Sequence, residues 1–190
     1  MRTHLFRNSL LALLAMPLSA CAVHEPEITL QSIVAFHASE HNLVQKAGQV
    51  FSSGTENIPL SKNGSSQQNI SSPPSYIRIC DADRHSCQNG ILSYKVNAYV
   101  AGHTANDFEV VGEVISTISA FHTMNNSSGS PWFSATIDKE AAPLPFKEYK
   151  VPFHQTIKLG ETVKLDGLDG GYVTFALQNQ PVYYHGARVH

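Results

Sequence analysis

Residues 93–100, SYKVNAYV, decide how the rest of the chain is read. Tyr94, Val96, Ala98 and Val100 alternate with Lys95, Asn97 and Tyr99. A period of two is the signature of a strand, whose successive side chains point to opposite faces. One face is apolar and the other largely polar, so the strand is expected to be half-buried in an antiparallel sheet.

The same grammar extends in both directions. YIRIC (76–80), FEVVGEVISTISAF (108–121), WFSATI (132–137), YKVPF (149–153), TIKL (156–159), ETVKL (161–165), YVTFAL (172–177) and VYY (182–184) are short and rich in β-branched and aromatic residues. QNG, GHTAND, NNSSGSP, LG and DGLDGG lie between them and carry turn chemistry. Residues 158–162 are expected to make a tight hairpin. The fold class that follows is mainly β. Residues 76–190 are expected to form an antiparallel β-sandwich or small barrel, large enough for one independent core.

Upstream the pattern changes. Residues 52–75 include eight serines among 24 positions and few apolar side chains. Such a composition offsets little of its ordering entropy, so a flexible linker is expected there. In the segment 21–51, Ile33, Phe36, Leu43, Ala47 and Val50 recur at three- and four-residue steps. That spacing predicts one short amphipathic α-helix preceding the linker.

The expected helix carries His37-Ala38-Ser39-Glu40-His41. The letters resemble the H-x-x-E-H signature of the inverzincin metallopeptidases, which implies two zinc-binding histidines and a glutamate base. The family's further glutamate ligand would have to be Glu109 or Glu113, and both fall in an expected strand. The alternative is that His37 and His41 flank a packing face. They are therefore weak metal candidates.

Other chemistry is sparse. There is no G-x-S-x-G and no S-x-x-K, and no cofactor motif is apparent. His103, His122 and His154 lie in or beside strands with no assignable partner. Asp81, Asp83 and His85 crowd CDADRHSC (80–87), which reads as a hairpin tip. DGLDGG (166–171) reads as an ordinary turn rather than a calcium loop. Near the C-terminus, Tyr183, Tyr184 and Arg188 are interaction candidates, because Tyr and Arg are enriched at interfaces.

The N-terminus sets the compartment. Arg2 and Arg7 precede a short apolar run too brief to span a bilayer, so residues 1–20 read as an export signal. Leu18-Ser19-Ala20-Cys21 resembles the lipobox of bacterial lipoproteins. The resemblance implies cleavage before Cys21, lipidation of its thiol with acyl chains such as palmitate, and a membrane anchor. Ala22 stands where inner-membrane retention would use aspartate, which implies the outer membrane, facing the periplasm. Export leaves Cys80 and Cys87 as an even pair in an oxidising compartment, hence an expected disulfide.

Without Arg2 and Arg7 the mature chain has 13 − 2 = 11 basic against 15 acidic residues, a net charge of −4. With no basic block, nucleic acid is not an expected partner. Lipid, tether and compact β domain together suggest a non-enzymatic binding or assembly factor for an envelope complex of the secretion, pilus or conjugation type. The competing expectations are a zinc hydrolase using residues 37–41 and a surface-exposed adhesin or ligand-binding module.

Overall fold

The computed structural model describes residues 30–58, 68–125, 128–137 and 142–179, and the backbone of 183–184 and 187–188. The signal segment, Cys21 and the centre of the Ser-rich segment lie outside these residues. Among the described residues every regular element is a strand. In chain order these are β1 (Leu30–His37), β2 (Val50–Ile58), β3 (Gln68–Ser71), β4 (Ser75–Cys80), β5 (Cys87–His103) and β6 (Asp107–Ser119). They continue with β7 (Phe121–Asn125), β8 (Pro131–Thr136), β9 (Lys147–Lys158), β10 (Thr162–Asp166), β11 (Tyr172–Asn179), β12 (Tyr183–Tyr184) and β13 (Ala187–Arg188).

Two antiparallel sheets form a sandwich. One has the order β10-β11-β1-β2, and the other has β3-β5-β6-β9 with β4 also pairing β5. Alternate residues of both sheets meet in one core. Leu30, Val34, Phe36, Val173, Phe175 and Leu177 come from the first sheet, and Tyr94, Val96, Ala98, Val110, Val114 and Ile157 from the second. Tyr94, Val96, Ala98 and Val100 all point inward, as their alternation requires. Gly112 sits mid-strand because a Cβ there would run into the Asn97 carbonyl oxygen of β5 and stand 2.7 Å from the ring of Phe153, its register partner in β9.

The expected helix is not present. Its first part is β1, in the middle of the four-stranded sheet, and its last residue, Val50, begins β2. Ile33 points out of the sheet and Phe36 points in, so the two share no face. The strand's alternation is masked because Ser32 occupies an inward position. Ser32 is fully buried, yet its hydroxyl donates to the Glu56 carbonyl (3.2 Å) and accepts from the Gln68 amide. A hydrogen-bonded serine can replace an apolar side chain in a core position.

The Ser-rich segment is also structured where it is described. Residues 52–58 belong to β2, 68–71 form β3, and Ser75 opens β4. β2 pairs along its whole length with β1 at the rim of its sheet. An edge strand needs little apolar surface, since backbone bonds to one neighbour hold it.

Residues 158–162 do turn tightly, with Gly160 at φ 80°. They do not close a hairpin. β9 pairs with β6 and β10 with β11, so the turn carries the chain from one sheet to the other.

Cys80 and Cys87 form a disulfide across the β4–β5 register. The loop they close is capped from within, as Asp81 accepts the backbone N–H groups of His85 (2.8 Å) and Ser86 (3.0 Å). The Asp81 carboxylate is therefore committed to its own loop. At the C-terminus Tyr183 lies opposite Arg188 in the two-residue β12–β13 ladder.

Candidate functional site

β5 is 17 residues long. At Tyr94 it meets turn 167–171 between β10 and β11, while loop 38–49 between β1 and β2 bonds to the neighbouring β4. Where strands stop, backbone groups lose ladder partners and buried side chains must supply them. Four buried serines cluster at this level. Ser72 Oγ accepts the Tyr94 N–H (2.9 Å), Ser116 Oγ accepts the Leu168 N–H (3.3 Å), and Ser75 Oγ accepts from the Asn42 amide. The fourth, Ser39, has no hydrogen-bond partner for its hydroxyl among the described residues.

Tyr94 is the keystone of this tier. Its ring crosses from the second sheet to the first, and its hydroxyl donates to the Leu168 carbonyl (3.3 Å). Gly167 and Gly171 make room for it. A Cβ on Gly167 would stand 2.5 Å from the ring, and one on Gly171 would overlap the hydroxyl. Burial, with the Asp169 carboxylate nearby, raises the Tyr94 pKa above its ordinary value, so the phenol stays protonated.

Two motifs distant in sequence meet here. The Glu40 N–H donates to the Asp169 carbonyl (3.0 Å), and His41 Nδ1 donates to Asp169 Oδ1 (2.7 Å). Asp169 adopts φ 56°, a left-handed conformation that aspartate tolerates better than most residues. Its second oxygen is buried without a partner among the described residues. His37 takes a different role on the outer face of the sheet. Its Nδ1 faces the Gly48 carbonyl at 2.8 Å and must carry the proton. Its Nε2 lies 3.1 Å from the Thr174 hydroxyl. The ring stacks on Tyr172 with centroids 4.1 Å apart, and Lys164 Nζ lies 4.3 Å from the centre of that tyrosine ring.

This geometry separates the two histidines of the HASEH stretch. The resemblance to the metallopeptidase motif needs a helix to align them one turn apart, and the backbone here is strand then turn. His37 binds Gly48 and Thr174, while His41 crosses to Asp169. Glu109 is paired with His154 (2.5 Å), and Glu113 accepts from Asn97 (2.9 Å), both on the other sheet. Among the described residues no three His, Cys, Asp or Glu side chains gather at metal-binding spacing.

His41–Asp169 resembles the base and orienting groups of a hydrolytic triad. Ser39, two residues away, is fully buried and its Oγ does not reach the imidazole as a hydrogen-bond partner. The contact between nucleophile and base that such chemistry needs is therefore not made.

What the tier does is hold loop 38–49 at several points. Besides the bonds to Asp169, the Arg78 N–H donates to the His41 carbonyl (3.0 Å), and the Leu43 N–H to the Tyr76 carbonyl (2.9 Å). Asn42 Oδ1 accepts the N–H groups of Val44 (2.8 Å) and Gln45 (2.6 Å). The loop is thus stitched to the outer edge of β4. Beside that seam Leu43, Val44 and Tyr76 are 48%, 75% and 38% exposed.

No family model matches this chain, and no curated protein or solved structure shows a significant similarity to it.

Proposed function

We propose that the chain is a lipid-anchored periplasmic protein that acts without catalysis, as a binding or assembly factor for an envelope complex. The observation that carries the binding reading is the apolar group Leu43, Val44 and Tyr76, exposed where the tied-down loop 38–49 meets β4. A pre-ordered loop loses little entropy on docking, so its apolar side chains can act as anchors for a protein partner. The lipid anchor is supported by the Leu18-Ser19-Ala20-Cys21 sequence, and the envelope location by that sequence together with the disulfide. The tyrosines and arginine of 183–188 are secondary contact candidates on the same reading.

A photo-crosslinking residue placed at Val44 of the full chain in intact cells tests the docking surface. The expected result is one envelope protein recovered, and its loss in the Leu43→Glu/Tyr76→Glu variant while the thermal unfolding midpoint is kept. Recovery of the same spectrum of proteins from a probe at Lys158, on the opposite end, would overturn it. Metabolic labelling with palmitate, absent in Cys21→Ala, tests the anchor independently.

A further inference from the structure

The outward face of the five-stranded sheet carries a groove of about 280 Å³ that none of the motifs above uses. Two neighbouring cross-strand rows floor it. Ser71, Lys95 and Ile115 form one row, and Ser93, Thr117 and Glu148 the next, in register across β3, β5, β6 and β9. His122 of β7 stands over them as a wall.

The polar groups here differ from those inside the sandwich in having no partners. The hydroxyls of Ser71, Ser93 and Thr117 and the ammonium of Lys95 make no hydrogen bond or ion pair among the described residues. His122 Nε2 is buried and likewise unpartnered. Glu148 is different, because Lys150 neutralises it at 3.1 Å. Burial holds His122 below its ordinary pKa, so near neutral pH the wall is uncharged. Among the described lining residues Lys95 is left as the cation, since Lys150, in the same row on β9, is paired with Glu148.

We propose that this groove binds a small hydroxylated carboxylate, a sugar acid of monosaccharide size. The volume sits just under the ~300 Å³ at which pockets for drug-sized ligands begin. Lys95 supplies one point charge, which suits a single carboxylate. Three hydroxyls and an imidazole nitrogen can each donate or accept, as the hydroxyls of a sugar require. Ile115 gives the ring's C–H face an apolar floor. Among the described lining residues no arginine is present to hold a phosphate dianion bidentately.

The test is an amide NMR titration of the folded chain with glucuronate, with glucose, acetate and inorganic phosphate as controls. Glucuronate should shift the Ser93, Lys95, Thr117 and His122 amides saturably. Lys95→Met should weaken it at least tenfold, and Thr117→Val severalfold, with all other amide shifts retained. Equal binding of glucose would remove the role of Lys95 and overturn the proposal. Equal shifts from acetate or phosphate would mean an adventitious ion only, and would overturn it too. So would unchanged glucuronate affinity in both variants.

Discussion

The two faces of β5 take alternate residues of one stretch, 93–100, and behave in opposite ways. On the inner face, the Tyr94 ring fills the space between Gly167 and Gly171, and its hydroxyl and amide are both bonded. On the outer face, one residue to either side, the Ser93 and Lys95 side chains line an open groove and have no partners among the described residues. The inner face spends its polar groups on joining two sheets. At the groove the outer face keeps them available, and further along it Asn97 is bonded to Glu113. Interior groups must be satisfied by the fold because water does not reach them, whereas groove-lining groups can wait for water or a ligand. Stability and recognition are thus assigned to alternate residues of one strand.

Substitutions should divide along that line. The largest effect is expected at Gly171→Ala, since the new methyl would occupy the position of the Tyr94 hydroxyl. Displacing the ring opens the tier, and overpacking of this kind costs about 3 kcal/mol. Urea unfolding would measure it. The double variant Gly171→Ala/Tyr94→Phe should recover part of the loss. A double variant no more stable than Gly171→Ala would show that the two groups do not collide.

Next comes the disulfide, which spans seven positions between β4 and β5. Replacing Cys80 and Cys87 together by serine should lower stability by about 2.5 kcal/mol through restored loop entropy. Because Asp81 caps that loop without help from the disulfide, its tip should keep its local hydrogen-exchange pattern.

The inner face of β5 was legible in the sequence and much of its company was not. Tyr94 to Val100 announce themselves because an apolar residue stands at every second position, with Lys95 and Asn97 between. β1 and β2 broke the rule in ways composition hides. Ser32 is polar but inward and bonded, while Ile33 is apolar but outward, so counting apolar residues produced a helical row. β2 is an edge strand, and its serines look like a linker when only side chains are counted. The glycines of 166–171 were read as turn residues. That is true of Gly170 at φ 69°, but Gly167 and Gly171 are there because Tyr94 approaches. The meeting of His41 with Asp169 had no linear signal, since the two lie 128 positions apart. Neither had the groove, which depends on register across four strands.

Removing only the Tyr94 hydroxyl sharpens the contrast further. Tyr94→Phe should cost about 1 kcal/mol at neutral pH, since Leu168 O also accepts the Gly171 N–H at 3.0 Å and is not left bare. The pH dependence carries more information. The folded-state pKa of Tyr94 lies above the unfolded value of 10.0. The native chain therefore holds its proton longer, and the associated stability is present below pH 10 and lost as pH rises past it. Tyr94→Phe should be insensitive to that loss. Parallel alkaline unfolding curves for the two proteins would place the phenol in contact with water.

The smallest stability effects belong to the outer face. Ser93→Ala and Lys95→Met should each change stability by less than ~0.5 kcal/mol, since they remove no bond among the described residues. His122 is the exception that tests the rule, because its ring is partly buried while its Nε2 remains unpartnered. Its pKa in the folded chain lies below 6.5, so the unfolded chain takes up the proton first. The folded state then loses stability as pH falls below 6.5, opposite in sign to the Tyr94 effect. In His122→Asn that acid-side slope should flatten while the neutral-pH midpoint moves little. Saturating glucuronate should raise the wild-type midpoint, and should do so less in Lys95→Met. If the acid slope survived in His122→Asn, the proton uptake would belong to another group, and the wall of the groove would be as wet as the face beside it.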